Sequence, residues 1–386
     1  MHFAFTEEQA LIHDTARAFC AEHGAASRLR KAIESPLGYD EATWRAIGEE
    51  MGWCGIALPA EVGGSALGSV ELAILCEQMG RVLLPSPFLA TVALAAPAIA
   101  LAGTAAQREA LLPGIAAGRT RATLAIANAD GAPGLEGIGP RLARSKRGWR
   151  LDGAAGFVIH ADAVDLLVVA ARATGSQGAD GVSLAVVDLD HAGVSIERLT
   201  MLDQTRPMSR VLFESAVVAP ESILGDPGEA GPALGTALAR AQAALAAEQL
   251  GGAEAALEIA TEHAKTRIQF DRPIGSFQAV KHRLADMMVA TEAARSAAYY
   301  AACAADELPE EFDEAAAIAG CWCSETFTGC TAGMIQLLGG VGFTWEHVAH
   351  LYFKRARAAS TLLGSPAWHR ERIAVRLLPA TGGQPA

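Results

Sequence analysis

The chain has 386 residues and a formal net charge of -12, with 51% hydrophobic and 19% charged residues. This length predicts two to three domains with a sizeable buried core, which excludes a disulfide-stabilised mini-protein and a lone binding module. The acidic balance repels phosphate groups and argues against nucleic-acid partners. The seven cysteines, an odd number, are typical of reduced thiols in a cytoplasmic protein, and no secretory signal pattern is visible.

Residues 1–120 are predicted to form an N-terminal helical domain. Thr6 and Gln9 have the spacing of a capping box, and apolar residues follow at helical intervals. A second helix is predicted over residues 70–82, after a break rich in glycine and proline. The stretch from Val82 to Gln107 carries no charge and is long enough to cross a bilayer. Its three prolines and its alanine-rich composition favour a buried or subunit-facing helix pair over a membrane span.

The pattern changes over residues 121–228, where apolar runs of five or six residues are separated by turn-forming residues. Such closely spaced strands without intervening helices predict an antiparallel β-barrel or sandwich. Helical composition returns over residues 229–386, which predicts a C-terminal helical bundle. The expected fold class is therefore mainly α with a central antiparallel β domain.

Familiar nucleotide and metal motifs are not supported. No GxGxxG lies between a predicted strand and a helix, and no GxxxxGK[ST] occurs. His347 and His350 share one predicted helical face, but no third ligand is suggested nearby, so no metal site is expected.

Two longer motifs, RIQFDRPIGSFQAVKHRLADM from Arg267 and IQLLGGVGFTWEH from Ile335, resemble those of the acyl-CoA dehydrogenase family. The order of helices, barrel and helices is similar to that family over essentially the whole chain. The resemblance implies FAD between the barrel and the C-terminal bundle, with its adenosine diphosphate half reaching into a neighbouring subunit. It also implies homo-oligomers that are dimers or dimers of dimers.

By match to the family motifs, Arg267 would pair with the cofactor pyrophosphate and Phe270 would pack against the nucleotide. The alternatives are a solvated bundle residue for Arg267 and a packing kink for the glycines. Gln278 and Gln336 would donate or accept hydrogen bonds. The complete set of expected cofactor contacts is Arg267, Phe270, Gln278, Gln336, Gly339, Gly340, Gly342, Ser365, Phe157 and Ile126.

The family reaction oxidises an acyl-CoA thioester to a trans-2-enoyl-CoA and passes electrons to electron-transferring flavoprotein. A carboxylate removes the α proton as the β hydride passes to flavin N5. The two positions at which the family carries this base fall on Leu363 and Ala241. Glu248 follows Ala241 by about two helical turns, on much the same face, and its apolar neighbours would desolvate it as a base requires. It is the expected base, with a surface or ion-pair role as the alternative and Glu346 as a remote substitute.

Two hydroxyl groups that the family places near the flavin ring are replaced by Ala127 and Ile159, whereas the motif around Arg267 is retained. This asymmetry suggests a second interpretation. The chain would be the catalytically incomplete partner subunit of a heterotetrameric acyl-CoA dehydrogenase that acts on bulky thioesters such as those of steroid side chains.

Overall fold

The computed structural model describes residues 5–128, 130–146 and 148–378. Contacts between residues group these into two compact units. One contains residues 5–22, 73–83 and 242–378, and the other contains residues 23–72 and 84–241 with the two gaps just given. The first unit therefore joins both ends of the chain with one internal helical segment. The domain boundaries at residues 120 and 228 stay predictions.

Six α-helices precede the first strand. They are α1 Glu7–His23, α2 Ala26–Glu34, α3 Glu41–Arg45, α4 Ser69–Arg81, α5 Ala96–Ala102 and α6 Ala105–Ala116. The capping box at the start of α1 is confirmed, because the Gln9 amide N–H donates to the Thr6 hydroxyl at 3.2 Å and the Thr6 amide N–H donates to the Gln9 side chain at 3.1 Å. Both exchanged bonds satisfy backbone donors that a helix start leaves unpaired.

The uncharged stretch forms buried helices, as predicted. A π-helical segment, Leu89–Ala95, is buried at every position and continues into α5. The Thr91 hydroxyl donates to the carbonyl of Ala122 at 2.9 Å, so the polar group of this segment is satisfied inside the protein. Among the described residues, no helix has the length and apolar character needed to cross a membrane.

The central region forms one eight-stranded sheet with the order β6-β7-β3-β2-β4-β5-β8, and β1 pairs with β4. The strands are β1 Ala122–Ala125, β2 Arg141–Ser145, β3 Gly148–Ile159, β4 Leu166–Arg172, β5 Val182–Asp188, β6 Val194–Arg198, β7 Met208–Val218 and β8 Ile223–Leu224. The expectation of a wholly antiparallel domain was wrong, because β1 and β2 both pair with β4 in parallel. The pairings among the described strands do not join the two ends of this order, so a closed barrel is not confirmed.

The strand β4 lies at the centre of this sheet. All seven of its residues are buried, which is typical of a strand covered on both faces. Leu167 and Val169 belong to an apolar core with Leu151 of β3 and Phe213 of β7, all of them 2% exposed or less. Burial of this core holds the bulged part of β3 that carries Phe157 and the segment after β1 that carries Ile126.

Five helices form the C-terminal region. They are α7 Gly231–Thr266, α8 Gln278–Glu307, α9 Pro309–Leu338, α10 Ala349–Leu362 and α11 Pro366–Leu377, with a short hairpin of β9 Ile268–Gln269 and β10 Arg272–Pro273 after α7. The backbones of α4 and α7 approach closely because both carry glycine at the contact. A Cβ on Gly80 would lie 2.0 Å from the carbonyl oxygen of Glu248, and one on Gly251 would lie 1.9 Å from that of Glu77. This crossing explains why Glu248 is buried.

Candidate functional site

The hairpin after α7 presents Phe270 to solvent. The β9 and β10 strands pair antiparallel, and Phe270 and Asp271 between them have φ angles of 53° and 64°. Two consecutive positive φ values define a tight hairpin turn that usually carries asparagine or glycine. A phenylalanine there is strained, and strain of this kind is concentrated at binding sites. The Phe270 side chain is 86% exposed.

Cationic and aromatic groups meet at this hairpin. The guanidinium of Arg272 lies 4.1 Å from the ring centroid of Phe277, and Phe277 meets Phe270 edge to face with 6.0 Å between ring centroids. Arg267 is exposed and forms no ion pair with a carboxylate of the described residues. An unpaired guanidinium beside an exposed aromatic ring suits an anionic aromatic ligand such as a dinucleotide.

The glycine motif follows α9 as a 3-10 segment, Gly339–Phe343. Gly339 has a φ of 63°, and no atom lies within 4 Å of the position that a Cβ would take at Gly339 or Gly340, so this backbone is open to a ligand. Gly342 differs, because a Cβ there would lie 2.9 Å from Cβ of Leu338. For Gly342 the packing interpretation is the better supported one.

The two glutamines lie on α8 and α9. Gln278 is exposed as the first residue of α8, and Gln336 is exposed two residues before the end of α9. Gln336 lines a groove of about 640 Å³ between α8 and α9, together with Arg283 and Trp322. Apart from Gly342, the expected cofactor contacts of the hairpin, the glycine motif and the two glutamines therefore have the charge, exposure or backbone access that suits a dinucleotide.

Ser365 begins α11. Its hydroxyl accepts a hydrogen bond from the Trp368 amide at 3.2 Å, and Gly364 before it has a φ of 117°. Leu363, at a position where the family carries its base, is apolar and half-buried. The 362–365 turn therefore offers one hydroxyl, already used as a helix cap, and no carboxylate.

Glu248 lies on α7 and is 9% exposed. Its Oε1 accepts a hydrogen bond from Nη1 of Arg355 at 2.9 Å, and Arg355 is 2% exposed. A buried carboxylate paired with a guanidinium is held in its ionised form, since loss of either charge would leave the other uncompensated. Arg355 was missed from the sequence, because an arginine in the positively charged segment KRAR gives no sign of burial.

A second buried network joins α4, α7 and α8. Arg81 donates to Glu254 at 2.7 Å, Arg295 donates to the same carboxylate, and the Tyr299 hydroxyl donates to Glu77 at 2.6 Å. Burial and the nearby charge of Glu77 raise the pKa of Glu254 to about 7, against the opposing effect of Arg295 and Arg81. The charged residues inside the apolar run of α4 were the available sign of this network.

The expected cofactor contacts of the β domain lie around a bulge in β3. The register of β3 against β7 shifts between Ala155 and Val158, and Phe157 between them has a φ of 54°. Its ring is 40% exposed and lies against Gly131, where a Cβ would approach it to 3.0 Å. Ile126 follows β1 and is half-buried, and its carbonyl accepts from Gly139 at 3.2 Å. The bulge turns one aromatic ring outward from an otherwise buried strand.

The remaining candidates show no ligand chemistry. Glu346 is exposed beside the glycine motif, and His350 is buried, with its ring stacked on Trp345 at 4.6 Å between centroids. Across the described ranges no group of three or more histidine, cysteine or acidic side chains is placed to hold a metal ion.

Comparisons with known proteins identify the family of the chain. The profile of the acyl-CoA dehydrogenase N-terminal domain matches residues 6–119, and that of the C-terminal domain matches residues 232–378. Acyl-CoA dehydrogenase IpdE2 of Mycobacterium tuberculosis is 33% identical over 360 residues, which cover 93% of this chain and 94% of that protein.

Two solved structures extend the similarity to the fold. A variant of the Tcur3481-Tcur3483 steroid ACAD is 33% identical with a TM-score of 0.86, over 96% of this chain and 98% of its own. The ChsE4-ChsE5 complex from Mycobacterium tuberculosis is 26% identical with a TM-score of 0.88, over 100% of both chains. The protein belongs to the acyl-CoA dehydrogenase family of flavin-dependent oxidoreductases.

Proposed function

We propose that the protein oxidises an acyl-CoA thioester to the trans-2-enoyl-CoA and that its electrons pass to electron-transferring flavoprotein. The observation that carries this proposal is the exposure of unpaired Arg267, strained Phe270 and the open backbone of Gly339 and Gly340, which together are called the nucleotide-binding edge. These groups supply a cation, an aromatic face and backbone that a ligand can approach closely, which suit a flavin dinucleotide.

FAD, when bound, supplies the acceptor for the hydride that leaves the β carbon. The protein's own side chains bind and orient: Arg267 pairs with the diphosphate, Phe270 covers the nucleotide, and Gln278 and Gln336 fix its polar edges. Ser365, Ile126 and Phe157 complete the proposed contacts.

Glu248 is the proposed base for the α proton. Its ion pair with Arg355 favours the ionised carboxylate, which is the form that accepts a proton. The same pair opposes protonation, so a base role requires substrate binding to loosen the contact between Glu248 and Arg355. The buried position of Glu248 excludes bulk water, which strengthens any contact that the carboxylate makes with the α carbon acid.

The test compares Glu248→Gln with Glu262→Gln, a change on the same helix at a side chain that is 68% exposed. Both variants are expected to retain flavin. In anaerobic stopped-flow mixing with acyl-CoA, Glu248→Gln should reduce its flavin at least about a hundredfold more slowly, the scale of a positioned base. Glu262→Gln should match the wild type. A Glu248→Gln protein that is reduced at the wild-type rate removes Glu248 from the mechanism.

A second candidate function is favoured by the same ion pair. With Glu248 held by Arg355, Ala241 fully buried and Leu363 apolar, the chain carries no uncommitted carboxylate at any of these three positions. In this candidate the protein is the catalytically incomplete subunit of a heterotetramer. Its exposed nucleotide-binding edge contributes contacts to the flavin that a paralogous chain binds. Relatives named as a two-component steroid ACAD and as the ChsE4-ChsE5 complex support an assembly of this kind and a bulky thioester substrate.

The two candidates differ in what the chain does when purified alone. A self-sufficient homo-oligomer would carry about one FAD per chain, and this flavin would bleach when acyl-CoA is added without oxygen. An incomplete subunit would carry little flavin until it is co-expressed with its partner. None of the seven cysteines, all of which lie within the described residues, forms a disulfide, which supports a reducing, cytoplasmic location for either assembly.

A further inference from the structure

Two polar side chains, Gln242 of α7 and His369 of α11, are buried with unsatisfied hydrogen-bonding atoms. Gln242 is 4% exposed and His369 is 0% exposed. The side-chain oxygen of Gln242 and both ring nitrogens of His369 have no hydrogen-bond partner among the described residues. Leaving one such atom unpaired costs about 1–3 kcal/mol, so three together require an explanation.

Both side chains converge on Gly320 of α9. A Cβ on Gly320 would lie 2.6 Å from Nε2 of Gln242 and 2.8 Å from Nε2 of His369. The two nitrogens therefore lie against the same small patch of the α9 backbone, and neither ring nitrogen of His369 is hydrogen-bonded to Gln242. Any side chain at Gly320 would overlap both groups.

The same imidazole lies beneath the 362–365 turn. A Cβ on Gly364 would approach Nε2 of His369 to 3.2 Å and the Trp368 ring to 2.3 Å. The His369 amide donates to the carbonyl of Ser365 at 3.0 Å, and the ring of His369 meets that of Trp368 edge to face at 5.0 Å between centroids. The position of Ser365 thus depends on where the His369 ring is held.

The chemistry of the two side chains suits a small, neutral ligand. Burial and the nearby charge of Arg372 lower the pKa of His369 to about 4, against the opposing effect of the Gly364 backbone, so the imidazole is uncharged at neutral pH. A neutral imidazole offers one donor and one acceptor, and the amide oxygen of Gln242 offers an acceptor. A water molecule satisfies such a set, since buried waters typically make about three hydrogen bonds to polar groups.

We infer that Gln242, His369 and Gly320 form a binding site for one buried water molecule, which holds the 362–365 turn and so positions Ser365. Gln242 and His369 are positioning residues, because they act through the turn and touch no reacting atom. The functional part of this inference rests on the proposed function, in which Ser365 contacts FAD.

The first measurement is a high-resolution crystal structure of the full chain as purified. A water is expected at about 2.8 Å from Oε1 of Gln242 and from a ring nitrogen of His369. A direct hydrogen bond between the two side chains, or a site without density, would overturn the inference.

The second measurement compares Gly320→Ala with Gly235→Ala. Both glycines lie within helices, Gly320 on α9 and Gly235 on α7, but no atom lies within 4 Å of a Cβ at Gly235. Gly320→Ala is expected to weaken FAD binding at least about tenfold and to shift the flavin absorption maximum, at a temperature where both variants remain folded. Equal FAD affinities for the two alanine variants would contradict the positioning role.

A matched pair at His369 covers the case in which Gly320→Ala does not fold. His369→Gln keeps a donor and an acceptor and should retain wild-type FAD affinity and spectrum, whereas His369→Leu should lose about tenfold in affinity. A glutamine variant as impaired as the leucine variant would show that ring packing, not hydrogen bonding, matters. If the wild type binds no FAD, the proposed function fails, and the crystal density alone then decides the water site.

Discussion

Several ionisable side chains near the candidate site are buried, and the charge of each one depends on the groups around it. Glu248 and Arg355 neutralise one another, whereas Glu254 pairs with Arg81 and Arg295, and Arg295 also pairs with Glu77. The charge of each group is therefore set by its partner rather than by solvent. His369 is the exception, because its ring nitrogens have no charged partner and its ionisation is governed mainly by burial.

His369 should make folding stability depend on pH. Its pKa is lowered from 6.5 to about 4 in the folded protein. Between these values the unfolded chain binds a proton that the folded protein does not, so stability falls as pH decreases through this window. Between pH 7 and pH 5 this group should remove about 2 kcal/mol, and His369→Gln should abolish that contribution. Urea unfolding at both pH values measures the difference, and an equal loss in wild type and variant would contradict it.

The role of a residue could be predicted from the sequence where it depends on a short motif, but not where it depends on burial. The exposed hairpin at Phe270 and the glycine motif follow from short motifs, so their positions were available from the chain alone. Arg355, Gln242 and His369 were missed because their significance lies in partners more than a hundred residues away or in burial on all sides. No local pattern records either property.

At the scale of elements, the crossing of α4 and α7 holds the helix that carries Glu248. The closeness of this crossing depends on glycine at Gly80 and Gly251, each facing a carbonyl oxygen of the other helix. Helices that approach through glycine leave no space for a methyl group, so the contact fixes both the depth and the rotation of α7.

Gly251→Ala should therefore destabilise the protein by about 3 kcal/mol or more, since a Cβ at this position would overlap the Glu77 carbonyl at 1.9 Å. Gly235→Ala is the matched control on α7, because no atom lies within 4 Å of its Cβ position, and it should leave stability unchanged or raise it by up to about 1 kcal/mol. Thermal unfolding of both variants measures the effect. Similar melting temperatures would show that the crossing is adjustable.

Helices could be predicted from patterns of a few neighbouring residues. The prediction failed for the sheet, because its pairings join strands that are distant in sequence. The capping box of α1 and the apolar period of α4 identified both helices from a few residues. The sheet was expected to be antiparallel because its strands are short and closely spaced. Its parallel pairings join β1 and β2 to β4, and these depend on the path of the chain across the sheet rather than on any strand's own sequence.

At the scale of the whole molecule, large apolar side chains remain exposed on the unit that carries the nucleotide-binding edge. Phe270 is 86% exposed, Phe343 is 85% exposed and Trp345 is 60% exposed. Exposed aromatic residues on this scale are typical of surfaces that a partner or ligand covers. The assembly proposed above accounts for them, because a cofactor shared with a neighbouring subunit would cover the same edge.

If subunits share a cofactor at this edge, changes to the edge should abolish both subunit assembly and flavin binding. The double change Phe270→Ser and Phe343→Ser removes two exposed aromatic side chains from the edge without altering the buried core. Sedimentation should then report a species nearer the 40.0 kDa of one chain, with little bound FAD. Leu11→Ser on α1, at a side chain that is 68% exposed, is the control and should retain both the assembly and its flavin. A double variant that keeps the wild-type mass but loses FAD would show that the edge binds cofactor without joining subunits, and one that keeps both would exclude the edge from either role.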